Sequence, residues 1–230
     1  MKRKILTVAA HPDDEILGCG GTMARLSEEG HEVRTLILAE GATSRDPVRN
    51  RGERQSDLTK LGEAATQAAE ALGVESVELF DLPDNRMDSI DLLDVVKRIE
   101  EKIDQYQPDT VFTHFSADLN IDHRIVNDAV VTACRPQPGQ VVKEILLFEV
   151  PSATDYQIVA GRAPFTPNLF FALSDSQFRK KMEAIRHYAG EMRPFPHARS
   201  EQSIEALAAV RGSQVGVPRA EAFMVGRILI

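Results

Sequence analysis

The chain has 230 residues, 43% of them hydrophobic, which is enough to bury a full core in one domain. Its net charge of -8 and pI near 5.3 argue against a nucleic-acid or anionic-membrane surface. The basic start Met1-Lys2-Arg3-Lys4 precedes an apolar run too short for a signal peptide, and no stretch approaches membrane-spanning length. Soluble cytoplasmic chemistry is therefore expected.

In chain order, Lys4 to Ala10 reads as a buried parallel strand and Glu15 to Glu29 as a helix. Gly30 closes that helix, and His31 to Leu38 forms a second strand. A loop from Ala39 to Asn50 leads to a helix from about Arg51 to Leu72, whose alanine-rich stretch Ala64 to Ala71 reads as a good surface helix. Val77 to Phe80 is a third strand. Asp91 to Tyr106 is helical, with Leu92, Val95, Val96, Ile99 and Ile103 inward, and Thr110 to Thr113 is a fourth strand. The helix that begins near His123 turns Ile125, Val126, Ala129, Val130 and Ala133 to the core. The carboxyl third is less regular. Strands are expected at Ile145 to Phe148, Asn168 to Leu173 and Glu221 to Ile230, and helices at Ser174 to Ala189 and from the cap Ser200 to Val210. Alternating strands and helices of this kind predict an α/β fold: a single Rossmann-like domain over residues 1–230, with a mostly parallel, twisted sheet flanked by helices. Cys19 and Cys134 are too few for a disulfide framework, and both read as core thiols.

The densest chemistry lies at the exit of the first strand, where His11-Pro12-Asp13-Asp14-Glu15 follows an apolar run. Ligands in open α/β sheets bind beyond the carboxyl ends of the strands, so a turn here lies where a site is expected. Pro12 stiffens the turn through its own φ and that of His11. An Asp-Asp pair after a strand ordinarily caps the next helix. A preceding His-Pro points elsewhere, because imidazole plus carboxylate suits zinc, and a catalytic zinc needs three protein ligands and one open position. The third ligand comes from the exit of the fourth strand. Strands one and four flank the switch point of a doubly wound sheet, so their loops open onto one crevice and bring His123 toward His11 and Asp14. Two histidines and one carboxylate are common to hydrolytic zinc and non-haem Fe(II) sites. Gly18-Cys19-Gly20-Gly21 lies several residues into the first helix, which excludes a dinucleotide fingerprint, since that motif occupies the turn.

Ala10-His11-Pro12-Asp13-Asp14-Glu15 resembles the hallmark of the PIG-L/LmbE-like N-acetylglucosaminyl deacetylases, and Asn120-Ile121-Asp122-His123-Arg124 resembles their second motif. The resemblance implies zinc held by His11, Asp14 and His123, with Fe(II) as the other candidate metal, and Asp13 as general base. The family histidine that steadies the oxyanion or shuttles a proton is replaced by Asn120. An amide donates a hydrogen bond but moves no proton at neutral pH. His114, Asp118 and His197 are the candidates to take over. The resemblance also implies an N-acetylated sugar or sugar conjugate as substrate, and it permits a homo-oligomer. Rival readings are hydrolysis of another amide or carbamoyl group, a catalytically silent metal- or sugar-binding protein, and a receiver-like signalling module. The last of these would need neither His11 nor His123.

Overall fold

The computed structural model describes residues 2–158 and 161–230. Seven strands form one sheet: β1 (Lys4–Ala9), β2 (Glu32–Ala39), β3 (Ser76–Leu82), β4 (Thr110–His114), β5 (Glu144–Phe148), β6 (Leu169–Ala172) and β7 (Ala220–Ile228). Their order is β3-β2-β1-β4-β5-β7-β6. The first five run parallel, and β7 joins antiparallel to both β5 and β6. As expected from the switch-point rule, β1 pairs with β4, through Ile5 with Thr110 and Thr7 with Phe112.

The helices are α1 (Asp14–Glu28), α2 (Gln55–Leu72), α3 (Leu92–Tyr106), α4 (Ile121–Ala133), α5 (Asp175–His187) and α6 (Glu201–Ser213). Alternation along β1 divides the core in two. Ile5 and Ala9 pack in the layer that holds the buried faces of α1, α2, α5 and α6. Leu6, Val8 and Ala10 pack with α3 and α4 on the other face. Both cysteines are free and buried.

Leu92, expected inward on α3, is exposed because it stands at the first residue of the helix, and three further local features depart from the sequence reading. Helix α2 starts at Gln55 rather than Arg51, because Asn50 Oδ1 accepts the amides of Gly52 at 3.1 Å and Glu53 at 3.4 Å and holds the segment in a turn. Its alanines are not a solvated surface. Ala64, Ala65, Ala68 and Ala69 are buried, and their small side chains let α2 lie close against its neighbours. The last departure is a break inside α1. Cys19 has φ -144°, outside helical values, so the ladder is interrupted and the amides of Gly21 and Thr22 turn to the carboxylate of Glu221, at 3.0 and 2.6 Å. Glycine suits both sides of the break, since a Cβ at Gly18 would strike the Phe148 ring and one at Gly21 would displace the Leu173 side chain. The glycine run thus serves close packing of α1 on the sheet.

Lys181 completes this buried junction, with Nζ 2.6 Å from Glu221 Oε1 and 2.8 Å from the Leu17 carbonyl oxygen. Both partners are about 5% exposed. Glu221→Ala strands the Lys181 ammonium and two helix amides together, so unfolding stability should fall by about 3–5 kcal/mol. Urea denaturation measures that loss, and an unchanged midpoint would refute the role given to Glu221.

Candidate metal centre

The turn after β1 is shaped by Asp13, whose φ of 112° is left-handed and costly for a residue with a Cβ. Three contacts hold it there. Its amide donates to Glu15 Oε2 at 3.0 Å, its Oδ2 accepts from Arg199 Nη1 at 2.6 Å, and its carbonyl accepts the amide of Leu17 at 2.9 Å. Glu15 is itself fixed by the Tyr188 hydroxyl, which donates to Oε1 at 2.7 Å. Burial pushes the Glu15 carboxyl up to about 7. Gly41, at φ 79°, lets the loop after β2 press against the turn, where a Cβ would stand 2.6 Å from Pro12 Cδ.

Neither aspartate caps α1. Asp13, at the N-cap position, makes no side-chain bond to the helix amides. Asp14 Oδ2 instead accepts the His11 amide at 2.9 Å and lies 3.1 Å from His11 Nδ1 and 3.1 Å from His123 Nε2. His11, Asp14 and His123 can each offer one ligand atom within 4.8 Å of the others. Asp14 Oδ1 and both ring nitrogens of His123 are buried without a hydrogen-bond partner. Orphaned buried atoms of this kind are costly unless something else engages them.

The far nitrogen of each histidine faces a carboxylate. His11 Nε2 is 3.0 Å from Asp122 Oδ2, and His123 Nδ1 is 3.3 Å from Asp118 Oδ1. This is the carboxylate-histidine arrangement that orients metal ligands. Asp122 is held by the amides of Asn85 at 2.6 Å and Met87 at 3.0 Å, and Asp118 by the Thr154 hydroxyl at 2.6 Å and the Asn120 amide at 2.9 Å. A second grouping, His11 with Asp84 and Asp122, also falls within 4.8 Å. Its carboxylates are already engaged by backbone amides, Asp84 by that of Ser44 at 3.0 Å. The orphaned atoms therefore favour the first set.

Charge follows this geometry. Burial opposes ionisation of Asp14, but His123 and His11 outweigh it and hold the carboxyl well below its ordinary range. Burial likewise opposes a charge on His123, and Asp14 and Asp118 raise it to about 9. Asp13 is driven well above its usual range, chiefly by burial, with the Arg199 guanidinium acting against the shift.

The remaining candidates are placed differently. His114 is fully buried, stacks on His123 with ring centroids 3.9 Å apart, and accepts the Ala10 amide on Nε2 at 2.8 Å. Asn120 is the N-cap of α4, accepting the Asp122 amide on Oδ1 at 2.8 Å and donating to Asn85 Oδ1 at 2.8 Å. His197 makes no hydrogen bond to His11, Asp14 or His123; its Nδ1 accepts the Arg199 amide at 3.0 Å, which puts the proton of the neutral ring on Nε2. Sequence reasoning assigns Arg199 no role, since it lies 186 positions from the aspartate it meets. Tyr188, buried in the core, also braces the turn.

Residues 6–134 match the PIG-L family, described as GlcNAc-PI de-N-acetylase. The chain belongs to this family. Among similar proteins, the uncharacterized deacetylase YaiS of Escherichia coli K12 is 28% identical over 193 residues, covering 81% of this PIG-L chain and 91% of its own. The solved N,N'-diacetylchitobiose deacetylase of Pyrococcus horikoshii shares the fold with a TM-score of 0.76 at 21% identity, over 98% of this chain and 84% of that one. GalB of Pseudomonas putida KT2440, a 4-carboxy-2-hydroxymuconate hydratase, gives a TM-score of 0.75 at 25% identity, over 100% of this chain and 98% of its own. Among the described residues, no helix is long and apolar enough to cross a membrane.

Proposed function

We propose that this protein is a metal-dependent hydrolase that removes the N-acetyl group from an N-acetylglucosamine-type sugar or conjugate. The observation that carries the reading is the convergence of His11 Nδ1, Asp14 and His123 Nε2, with three orphaned buried atoms on Asp14 and His123 and a carboxylate within 3.3 Å of the far nitrogen of each imidazole. Membership of a family described by N-acetylglucosamine deacetylation supports the substrate class.

The donor set of two imidazoles and one carboxylate suits zinc, and also Fe(II). When bound, the cation supplies Lewis acidity, polarising the acetamide carbonyl and making a neighbouring water a better nucleophile at neutral pH. The chain supplies the proton chemistry. Asp13 Oδ2 is held by Arg199, and no described residue makes a hydrogen bond to Oδ1, so Oδ1 is the atom assigned to take a proton from the attacking water. Asp13 then returns that proton to the departing amine. The Arg199 guanidinium, held by the Ser152 hydroxyl at 2.7 Å, keeps the Asp13 carboxylate aimed. His114 is a positioning residue, with its Nε2 lone pair occupied by the Ala10 amide and its ring face against His123. Asn120 shapes the loop through its cap and its bond to Asn85. His197, with its donor at Nε2, is the side chain assigned to the oxyanion or the leaving amine in place of the missing family histidine.

Asp118→Asn tests the support behind His123. Loss of that charge should weaken metal binding or activity roughly 10–100-fold. Metal titration of the two proteins measures the difference, and equal affinities would remove Asp118 from the site.

A second reading rests on one finding, the 25% identity with a hydratase over the whole chain. Acetate and amine release from N,N'-diacetylchitobiose, with and without chelator, separates the two. Chelator-sensitive release supports the deacetylase. No release, together with consumption of a conjugated unsaturated carboxylate, would replace it with hydration.

A further inference from the structure

Most arginines of this acidic chain answer a carboxylate, as Arg49 does Glu40 and Arg211 does Glu149. Arg124 and Arg162 do not. Arg124 Nη1 donates to the carbonyl oxygens of Asp118 at 2.8 Å and Leu119 at 2.6 Å, and Arg162 Nη1 donates to the same Asp118 oxygen at 3.1 Å. Two guanidinium groups therefore share one acceptor, and no carboxylate of a described residue lies within 4.0 Å of either. The Nε and Nη2 groups of both make no hydrogen bond to a described residue.

Their place in the fold is specific. Arg124 follows His123 in the first turn of α4, and Arg162 lies in the segment after β5, the strand that pairs with β4. Both are anchored to the backbone of Asp118, whose side chain faces His123 Nδ1. Like charges held together on a shared carbonyl repel one another, and an anion between them relieves that repulsion while taking up the free donors. A guanidinium fork matches phosphate and carboxylate in shape as well as charge.

We propose that Arg124 and Arg162 form a subsite for an anionic group, phosphate or carboxylate, on the part of the substrate remote from the acetamide. This rests on the deacetylase reading and narrows it to anionic conjugates of an N-acetylated sugar over neutral ones.

The test compares amine release by the metal-loaded enzyme from N-acetylglucosamine 1-phosphate, from an N-acetylglucosaminide of a hydroxy acid, and from the neutral methyl glycoside. Equilibrium binding of glucosamine 1-phosphate gives a readout independent of turnover. Wild type should favour one anionic compound in kcat/KM, and which one it favours tells phosphate from carboxylate. Arg162→Glu, at an exposed side chain with a single hydrogen bond to a described residue, should cut that preference, and binding of the anionic product, by roughly tenfold or more. Arg124→Lys, which keeps the charge but loses the fork, should cut it less. Arg179→Glu, the same charge change on α5, should leave the preference as it is. Turnover of all three compounds without preference, or a preference unaltered by Arg162→Glu, overturns the subsite. Amine release from none of them overturns the deacetylase reading itself, and the subsite with it.

Discussion

Asp13→Asn is expected to lower kcat for amine release by ~10²–10⁴-fold, the range for loss of a positioned general base, while metal content stays at that of the wild type. The substitution is nearly isosteric and leaves the ligand atoms of His11, Asp14 and His123 untouched. The amide retains an oxygen for Arg199 and a backbone N-H for Glu15, so the left-handed turn keeps its supports. An amide cannot take a proton from water at neutral pH, so the deficit should appear in kcat with KM little changed. Circular dichroism and metal analysis on the same preparation separate this result from misfolding. Full activity in Asp13→Asn would remove the general-base assignment.

His123→Gln is expected to remove the metal. Loss of a carboxylate behind a ligand costs roughly 10–100-fold, so loss of one of three ligands should exceed that, leaving activity below about 1%. The fold should persist, because glutamine is close in volume and His114 is fixed independently by the Ala10 amide. Stability supplies a second readout. A ligand that binds only the folded state at 1,000 times its Kd adds about 4 kcal/mol. Chelation should therefore lower the Tm of the wild type and leave that of His123→Gln unchanged. Equal Tm losses in the two proteins would place the metal elsewhere.

Much of this arrangement was legible in the sequence, for physical reasons. The abrupt change from Val8-Ala9-Ala10 to His11-Pro12-Asp13-Asp14 marks a strand end, and strand ends are where α/β sheets place ligands. The pairing of β1 with β4 follows from the switch-point rule, and it brings His123 to Asp14. What escaped prediction depends on tertiary partners. The alanines of α2 have the composition of a surface helix, and only the helices packed on them reveal a buried face. The break at Cys19 is set by Glu221 and Lys181, which are distant in sequence, and only the glycines beside it carry a local signal. Arg199 belongs to the same class, since its role exists only once the chain has folded back onto Asp13. Asn120 stands where a proton-moving histidine is expected, and in the fold it serves as a helix cap. An Asn before a helix is a cap by the ordinary rule, so that role could have been read from local chemistry alone.

The most direct measurement is anomalous diffraction at the zinc edge from crystals grown with stoichiometric zinc. One peak is expected, at about 2.0–2.2 Å from His11 Nδ1, a carboxylate oxygen of Asp14 and His123 Nε2. A peak on the other side of the ring, between His11 Nε2, Asp84 and Asp122, or no peak near His11, would contradict it.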